Sequence, residues 1–77
     1  MTVRHPRINI DPNIMSGQPV ISGTRVPVSI LLILVADGVP IPEILENYPS
    51  ITEDDIRAAF RFSAAMMRRT FDDRAAA

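Results

Sequence analysis

Pro19-Val20-Ile21-Ser22-Gly23-Thr24-Arg25-Val26-Pro27-Val28, running directly into Ser29-Ile30-Leu31-Leu32-Ile33-Leu34-Val35-Ala36, is the stretch on which the fold turns. A short β-type run breaks at Gly23, resumes at Arg25-Val26 and meets Pro27. Proline suits the first turn of a helix, because the N–H that it lacks has no intrahelical partner there. The helix that follows is apolar on nearly every side, and such a helix must be buried. A chain of 77 residues has little interior to offer it. The expectation is a core completed against another chain, and a function in association rather than chemistry.

Upstream, Ile8-Asn9-Ile10 alternates like a short strand and Asp11-Pro12-Asn13 closes it as a turn. Ser16-Gly17-Gln18-Pro19 reads as a second turn, ahead of Val20-Ile21 as a second strand. An isolated two-stranded hairpin is marginal in water, so these strands are expected to pack on helices or pair with a second chain. Downstream, the first helix spans about residues 27–37, with Gly38 placed as its C-terminal cap. A short second helix covers residues 41–47, with Pro42 in its first turn and Tyr48-Pro49 ending it. The third opens on Thr52 as N-cap with Asp55 three residues on, an approximate capping box, and Glu53, Asp54 and Asp55 suit the positive end of its dipole. Its expected buried stripe is Ile56, Ala59, Phe60, Ser63 and Met67, continuing to about Arg69. The fold class is therefore mainly α: a three-helix, helix-turn-helix bundle behind a short N-terminal β-hairpin. One domain fills residues 1–77, divided into a strand-forming arm (1–26), a helical core (27–69) and a C-terminal tail (70–77).

Composition narrows the function. Cores of this size supply about 3–5 kcal/mol, so small domains add a staple. There is no cysteine and one histidine, His5, which leaves neither disulfide nor metal cluster, and oligomerisation remains. A homodimer is expected. The longest apolar stretch, residues 30–36, falls far short of the roughly 20 residues needed to cross a bilayer. Arg4, His5 and Arg7 have no apolar run behind them, so no secretory signal is visible and a soluble cytoplasmic protein is expected. The net charge of −1 is unevenly spread. Residues 1–25 carry +2 from Arg4, Arg7 and Arg25 against Asp11. Residues 26–55 carry −6 from Asp37, Glu43, Glu46, Glu53, Asp54 and Asp55. Residues 56–77 return to +3 from Arg57, Arg61, Arg68, Arg69 and Arg74 against Asp72 and Asp73. A monomer of this balance is a poor non-specific DNA binder, because that affinity comes from neutralising phosphates. Two copies with their basic segments on one side do better.

Several residues are candidates for contact. Arg57, Arg61 and Arg68 recur at helical spacing on one face of the third helix, where arginine can bond guanine edges or phosphates in a major groove. The plainer alternative is a solvated face, with Glu53 and Arg57 paired at i,i+4 for about 0.3 kcal/mol. Thr24-Arg25 follows a tight bend at Gly23, from which Arg25 reaches a phosphate or an acid of its own chain such as Glu46. Ile30, Leu31, Leu34 and Val35 cannot all face one small core. They are read as a dimer interface, against a partner-binding groove or burial under the strands. Met66, Met67 and Phe71 among Arg69 and Arg74 form an amphipathic combination suited to a partner. With no nucleophile, phosphate loop or metal motif, the chain is not expected to be an enzyme, and no cofactor is implied.

The order Pro-Val-Ile-x-Gly-Thr-Arg-Val-Pro-Val, then an apolar helix ending at Asp37-Gly38, resembles a bacterial family known as domain of unknown function 433. So do Glu43-Ile44-Leu45-Glu46-Asn47-Tyr48-Pro49 and Thr52-Glu53-Asp54-Asp55-Ile56-Arg57-Ala58-Ala59, which extends the likeness over residues 7–64. The chain departs from the family pattern at Gln18, Ser22 and Pro40. The resemblance implies a homeodomain-like helical fold. It also implies a VapB-like antitoxin that neutralises a PIN-like ribonuclease toxin and binds operator DNA for autoregulation. On that view Met66, Arg69, Phe71 and Arg74 hold the toxin, an arginine entering its carboxylate-rich site, and Arg57, Arg61, Arg68, Arg25 and Thr24 hold DNA. The alternative is a stand-alone DNA-binding transcriptional regulator, or a structural interaction module, with no toxin partner.

Overall fold

Local chemistry places each element where the chain's punctuation puts it. The structure, a computed structural model, describes residues 5–76, with side chains for residues 5–70. Ile8–Asn9 (β1) and Val20–Ile21 (β2) pair antiparallel, Ile8 opposite Ile21 and Asn9 opposite Val20. Single antiparallel bridges outside this ladder pair Ile8 with His5 and Val20 with Pro27. Between the strands, Asp11 Oδ1 accepts the backbone N–H of Asn13 at 2.8 Å, as an Asx turn requires. A single 3-10 turn, Met15–Gly17, follows.

The first helix, Val28–Ala36 (α1), begins one residue later than the sequence suggests. Pro27 has ψ 141 and is its N-cap, just outside the first turn. The reason is that the Val28 N–H is already bonded to the Pro19 carbonyl at 2.9 Å, which ties the helix start to β2. The helix stops at Gly38, whose φ of +83 suits a residue without a Cβ. Gly38 N donates to Val35 O and Val39 N to Leu34 O, both at 3.0 Å, which completes a Schellman motif. Ile41–Asn47 (α2) starts behind Pro40 with Pro42 in its first turn, as expected. Glu53–Ala76 (α3) starts with a reciprocal capping box: Thr52 N donates to Asp55 Oδ2 at 2.9 Å, and Asp55 N to Thr52 Oγ1 at 3.3 Å. It runs on to Ala76 instead of ending near Arg69, so residues 70–76 continue the helix rather than forming a separate tail.

The result is a mainly helical chain of three helices with a two-stranded antiparallel hairpin. Among the described residues no helix is long and apolar enough to cross a membrane. The core joins Ile8 and Ile21 of the hairpin to Val28 and Leu31 of α1, Ile44 of α2, and Ile56, Ala58, Ala59 and Phe62 of α3. The buried stripe of α3 is therefore shifted from the expected one. Ile56 and Ala59 belong to it, but Phe60 and Met67 are 40% and 58% exposed. Two adjacent alanines set the shift, since their small side chains let neighbouring elements approach this face closely while Phe62 fills the space beyond.

Within the single chain α1 is covered unevenly. Leu31, assigned by pattern to a dimer interface, is wholly internal, whereas Ile33 is 52% exposed. Three faces of α1 meet three environments. Val28 and Leu31 enter the core, Ser29 and Leu32 line a groove against α3, Ile30, Leu34 and Val35 are half-buried against the core's edge, and Ile33 is the large side chain of α1 left exposed.

Candidate functional site

Among the described side chains, α3 contributes no residue beyond Phe62 to the buried core, yet the helix continues for more than three turns. Its exposed half carries Met66 and Met67, which with Phe62, Ser63 and Thr70 form one wall of a groove of about 380 Å³. Val28, Ser29 and Leu32 of α1 form the other wall, and Gln18-Pro19 closes one end. Among the described residues, no acid or base lines it. The methionines are adaptable side chains, able to repack around an incoming apolar group. An amphipathic helix laid into such a groove is a recurring mode of partner recognition. Met66, read from the sequence as part of a tail that enters a partner, lies instead on the wall of a groove in this chain. Arg69 is half-buried on the same stretch of helix, while the side chains of Phe71 and Arg74 lie outside the described residues.

The opposite face of α3 is charged. At 100° per residue, positions 54, 57, 58 and 61 lie about 160° around the helix from the groove wall. With His5 and Arg7 of the N-terminal arm, they line a polar cleft of about 150 Å³. Arg57 Nη2 meets Glu53 at 2.9 Å and its Nη1 meets Asp54 at 3.5 Å, so the solvated i,i+4 pair describes this residue. Arg61 is exposed and has no carboxylate partner among the described residues. Arg68 falls on the same face, two turns on, and is engaged.

Arg7 escaped the sequence reading. Its Nη1 donates to Asp55 Oδ1 at 2.9 Å, and its Nη2 lies 4.0 Å from Asp54 Oδ2. This pins the arm to the start of α3 across 48 residues of sequence. No local spacing encodes such a contact; the one available signal was a cation flanking a strand in a chain with a surplus of acids at 53–55. Asp55 is nearly buried. Burial alone pushes its carboxyl up, but the Thr52 backbone N–H, the Arg7 guanidinium and the Thr52 hydroxyl together outweigh that and hold it below the ordinary value.

Thr24 and Arg25 are brought to a different place. Residues 21–24 form a turn with Gly23 at φ +78 in the third position and Thr24 N bonded to Ile21 O at 3.0 Å. The Thr24 hydroxyl donates to Ile21 O at 2.8 Å and accepts Val26 N at 3.0 Å, so it is occupied in shaping its own loop. Arg25 is exposed and makes no pair with Glu46; it lines a shallow cleft with Asn13 and Ile14. The five arginine and threonine positions assigned to DNA therefore do not form one surface. Arg57 and Arg61 share a cleft, and Thr24 and Arg25 share another.

Comparison with known proteins places this arrangement. A protein of y4eO type from Sinorhizobium fredii (strain NBRC 101917 / NGR234), named an uncharacterized protein, is 37% identical over 70 residues, which span 86% of this chain and 32% of that protein. The crystal structure of a DUF433 member protein from Anabaena variabilis ATCC 29413 superposes with a TM-score of 0.74 at 33% identity, over 87% of this chain and 66% of that one. The chain thus spans about a third of the curated relative and two thirds of the solved one. The model of the family described as protein of unknown function (DUF433) matches residues 8–63, which contain both strands, α1, α2, the capping box and the Arg7-anchored start of α3 up to the first groove residues. On that match, this chain belongs to the DUF433 family.

Proposed function

We propose that this protein is an antitoxin of the VapB-like kind, which captures a PIN-like ribonuclease toxin and represses its own operon. The observation that carries the reading is the uncharged groove between α1 and the outer half of α3, walled by Leu32, Met66 and Met67. A contiguous apolar surface that a small chain leaves uncovered marks an association site. On this reading the toxin's apolar segment occupies this groove, and Arg69, half-buried on the same stretch of helix but outside the groove lining, is assigned to the clustered carboxylates of a metal-dependent ribonuclease. Two copies of the chain join through α1 at Ile33, the exposed position, together with the half-buried Ile30, Leu34 and Val35, and without Leu31.

Operator binding is assigned to the homeodomain-like pair α2–α3, whose helices are joined by a five-residue turn spanning residues 48–52. The first turn of α3 is acidic and Arg57 is neutralised by it. DNA contact therefore falls to Arg61 and Arg68, with Arg25 reaching the backbone separately. The unpaired charge of Arg61 also favours a second reading, a DNA-binding regulator without a toxin.

The experiment is co-expression with the product of the adjacent gene. Co-purification of the two, with loss of ribonuclease activity, is the expected result. Met67→Asp is expected to break the complex while α3 stays helical by circular dichroism. A neighbour that neither co-purifies nor cleaves RNA removes the antitoxin, and a gel shift on the upstream DNA at stated salt then tests the regulator.

A further inference from the structure

The polar cleft of His5, Arg7, Asp54, Arg57, Ala58 and Arg61 shares no residue with the groove. Three guanidiniums converge on it, and their carboxylate partners are held unequally. Arg7 to Asp55 and Arg57 to Glu53 are close pairs at 2.9 Å. Asp54 sits between the same two arginines at 4.0 and 3.5 Å, with its side chain 64% exposed. It is a loosely held anion between two arginines, each of which also holds a closer carboxylate. Arg61 adds a guanidinium that no acid among the described residues neutralises, and Ala58 leaves the wall without a bulky side chain. His5 Nδ1 accepts the Arg7 backbone N–H at 3.1 Å, so its proton is on Nε2, a further donor.

We infer that this cleft is a phosphate-binding site, in which Asp54 occupies the anion's place until a phosphate group displaces it. Arg61 and the outer guanidinium nitrogens of Arg7 and Arg57 bond the incoming oxygens, in the forked geometry that suits arginine. The two close pairs stay intact and keep the fork in position. The phosphate is either a free monoester or inorganic anion, or a phosphodiester of the DNA backbone. The inference extends the nucleic-acid half of the function proposed above but does not depend on it, because inorganic phosphate alone tests it.

The test is a titration of the full chain with inorganic phosphate at constant ionic strength, followed by NMR of the arginine Nε–Hε signals. A saturable shift at Arg7, Arg57 and Arg61 is expected, and Arg61→Ala is expected to abolish saturation without altering the thermal midpoint. Asp54→Asn should tighten binding by up to about fivefold, the equivalent of one exposed ion pair removed. Glu46→Gln makes the same change in net charge on α2 and should leave binding unaltered. Absence of a saturable shift overturns the site, as does equal tightening by Asp54→Asn and Glu46→Gln. A parallel titration with duplex DNA names the source. If Arg61→Ala lowers the slope of log affinity against log salt by about 1, the ligand is a phosphodiester. If it leaves that slope unchanged while abolishing phosphate binding, the ligand is a free phosphate.

Discussion

Asp55 does three things with one carboxylate: it caps α3, takes the Arg7 guanidinium, and through Arg7 fastens the N-terminal arm. Its carboxyl is held below the ordinary value in the folded state. A depressed folded pKa means that the stabilisation is complete above the unfolded value, near 3.9, and is lost as pH falls through the folded one. Acid unfolding of the wild type should therefore steepen below about pH 4. Asp55→Asn should lose about 1–2 kcal/mol at neutral pH and show a flatter acid limb, as read by urea denaturation at several pH values. An acid limb identical in the two proteins would remove Asp55 from this role. Gly38 makes the second argument at this scale. An added Cβ meets nothing within 4 Å, so space is not the constraint; the φ of +83 is. Gly38→Ala should cost about 1 kcal/mol through backbone strain alone, visible as a lowered denaturation midpoint with an unchanged slope.

At the scale of the element, α1 shows why uniform apolarity misleads. Its nine residues read as buried throughout, yet they divide among core, groove and outward face. Leu31→Ala should cost about 2–5 kcal/mol, enough to unfold a domain whose core supplies a similar amount. Ile33→Ala, on the outward face, should change the stability of the isolated chain by no more than about 0.5 kcal/mol. Comparable losses at the two positions by chemical denaturation would mean that α1 is buried all round after all. For α3 the lesson is the reverse. The periodic pattern placed Phe60 and Met67 inside, where volume suggests them, but Ala58 and Ala59 take the inner face and leave the larger side chains out. Periodicity located a helix with an apolar face; packing of small residues chose which face.

For the molecule as a whole, charge and shape act together. It measures 44 × 30 × 19 Å, and its long dimension accommodates α3, about 36 Å of helix. One side of that helix offers the apolar groove and the other the arginine cleft. The two proposed sites therefore lie on opposite sides of one helix. If self-association runs through the outward face of α1, sedimentation equilibrium should give a dimer at micromolar concentration, and Ile33→Asp should give a monomer of unchanged helicity. A wild-type monomer under those conditions would remove α1 as an interface.

The sequence by itself determined the element order, the turn at Gly23, the cap at Gly38, the second helix behind Pro40 and the Thr52–Asp55 box, because each depends on dihedral preference and hydrogen bonds between residues a few positions apart. It also marked Arg57 as half of a pair with Glu53. The Arg7–Asp55 bond, the inner face of α3, the internal place of Leu31 and the separation of Arg25 from Arg61 were decided only in the tertiary structure. Each of these joins or separates segments far apart in the chain, and the competition among side chains for a small interior has no local signature.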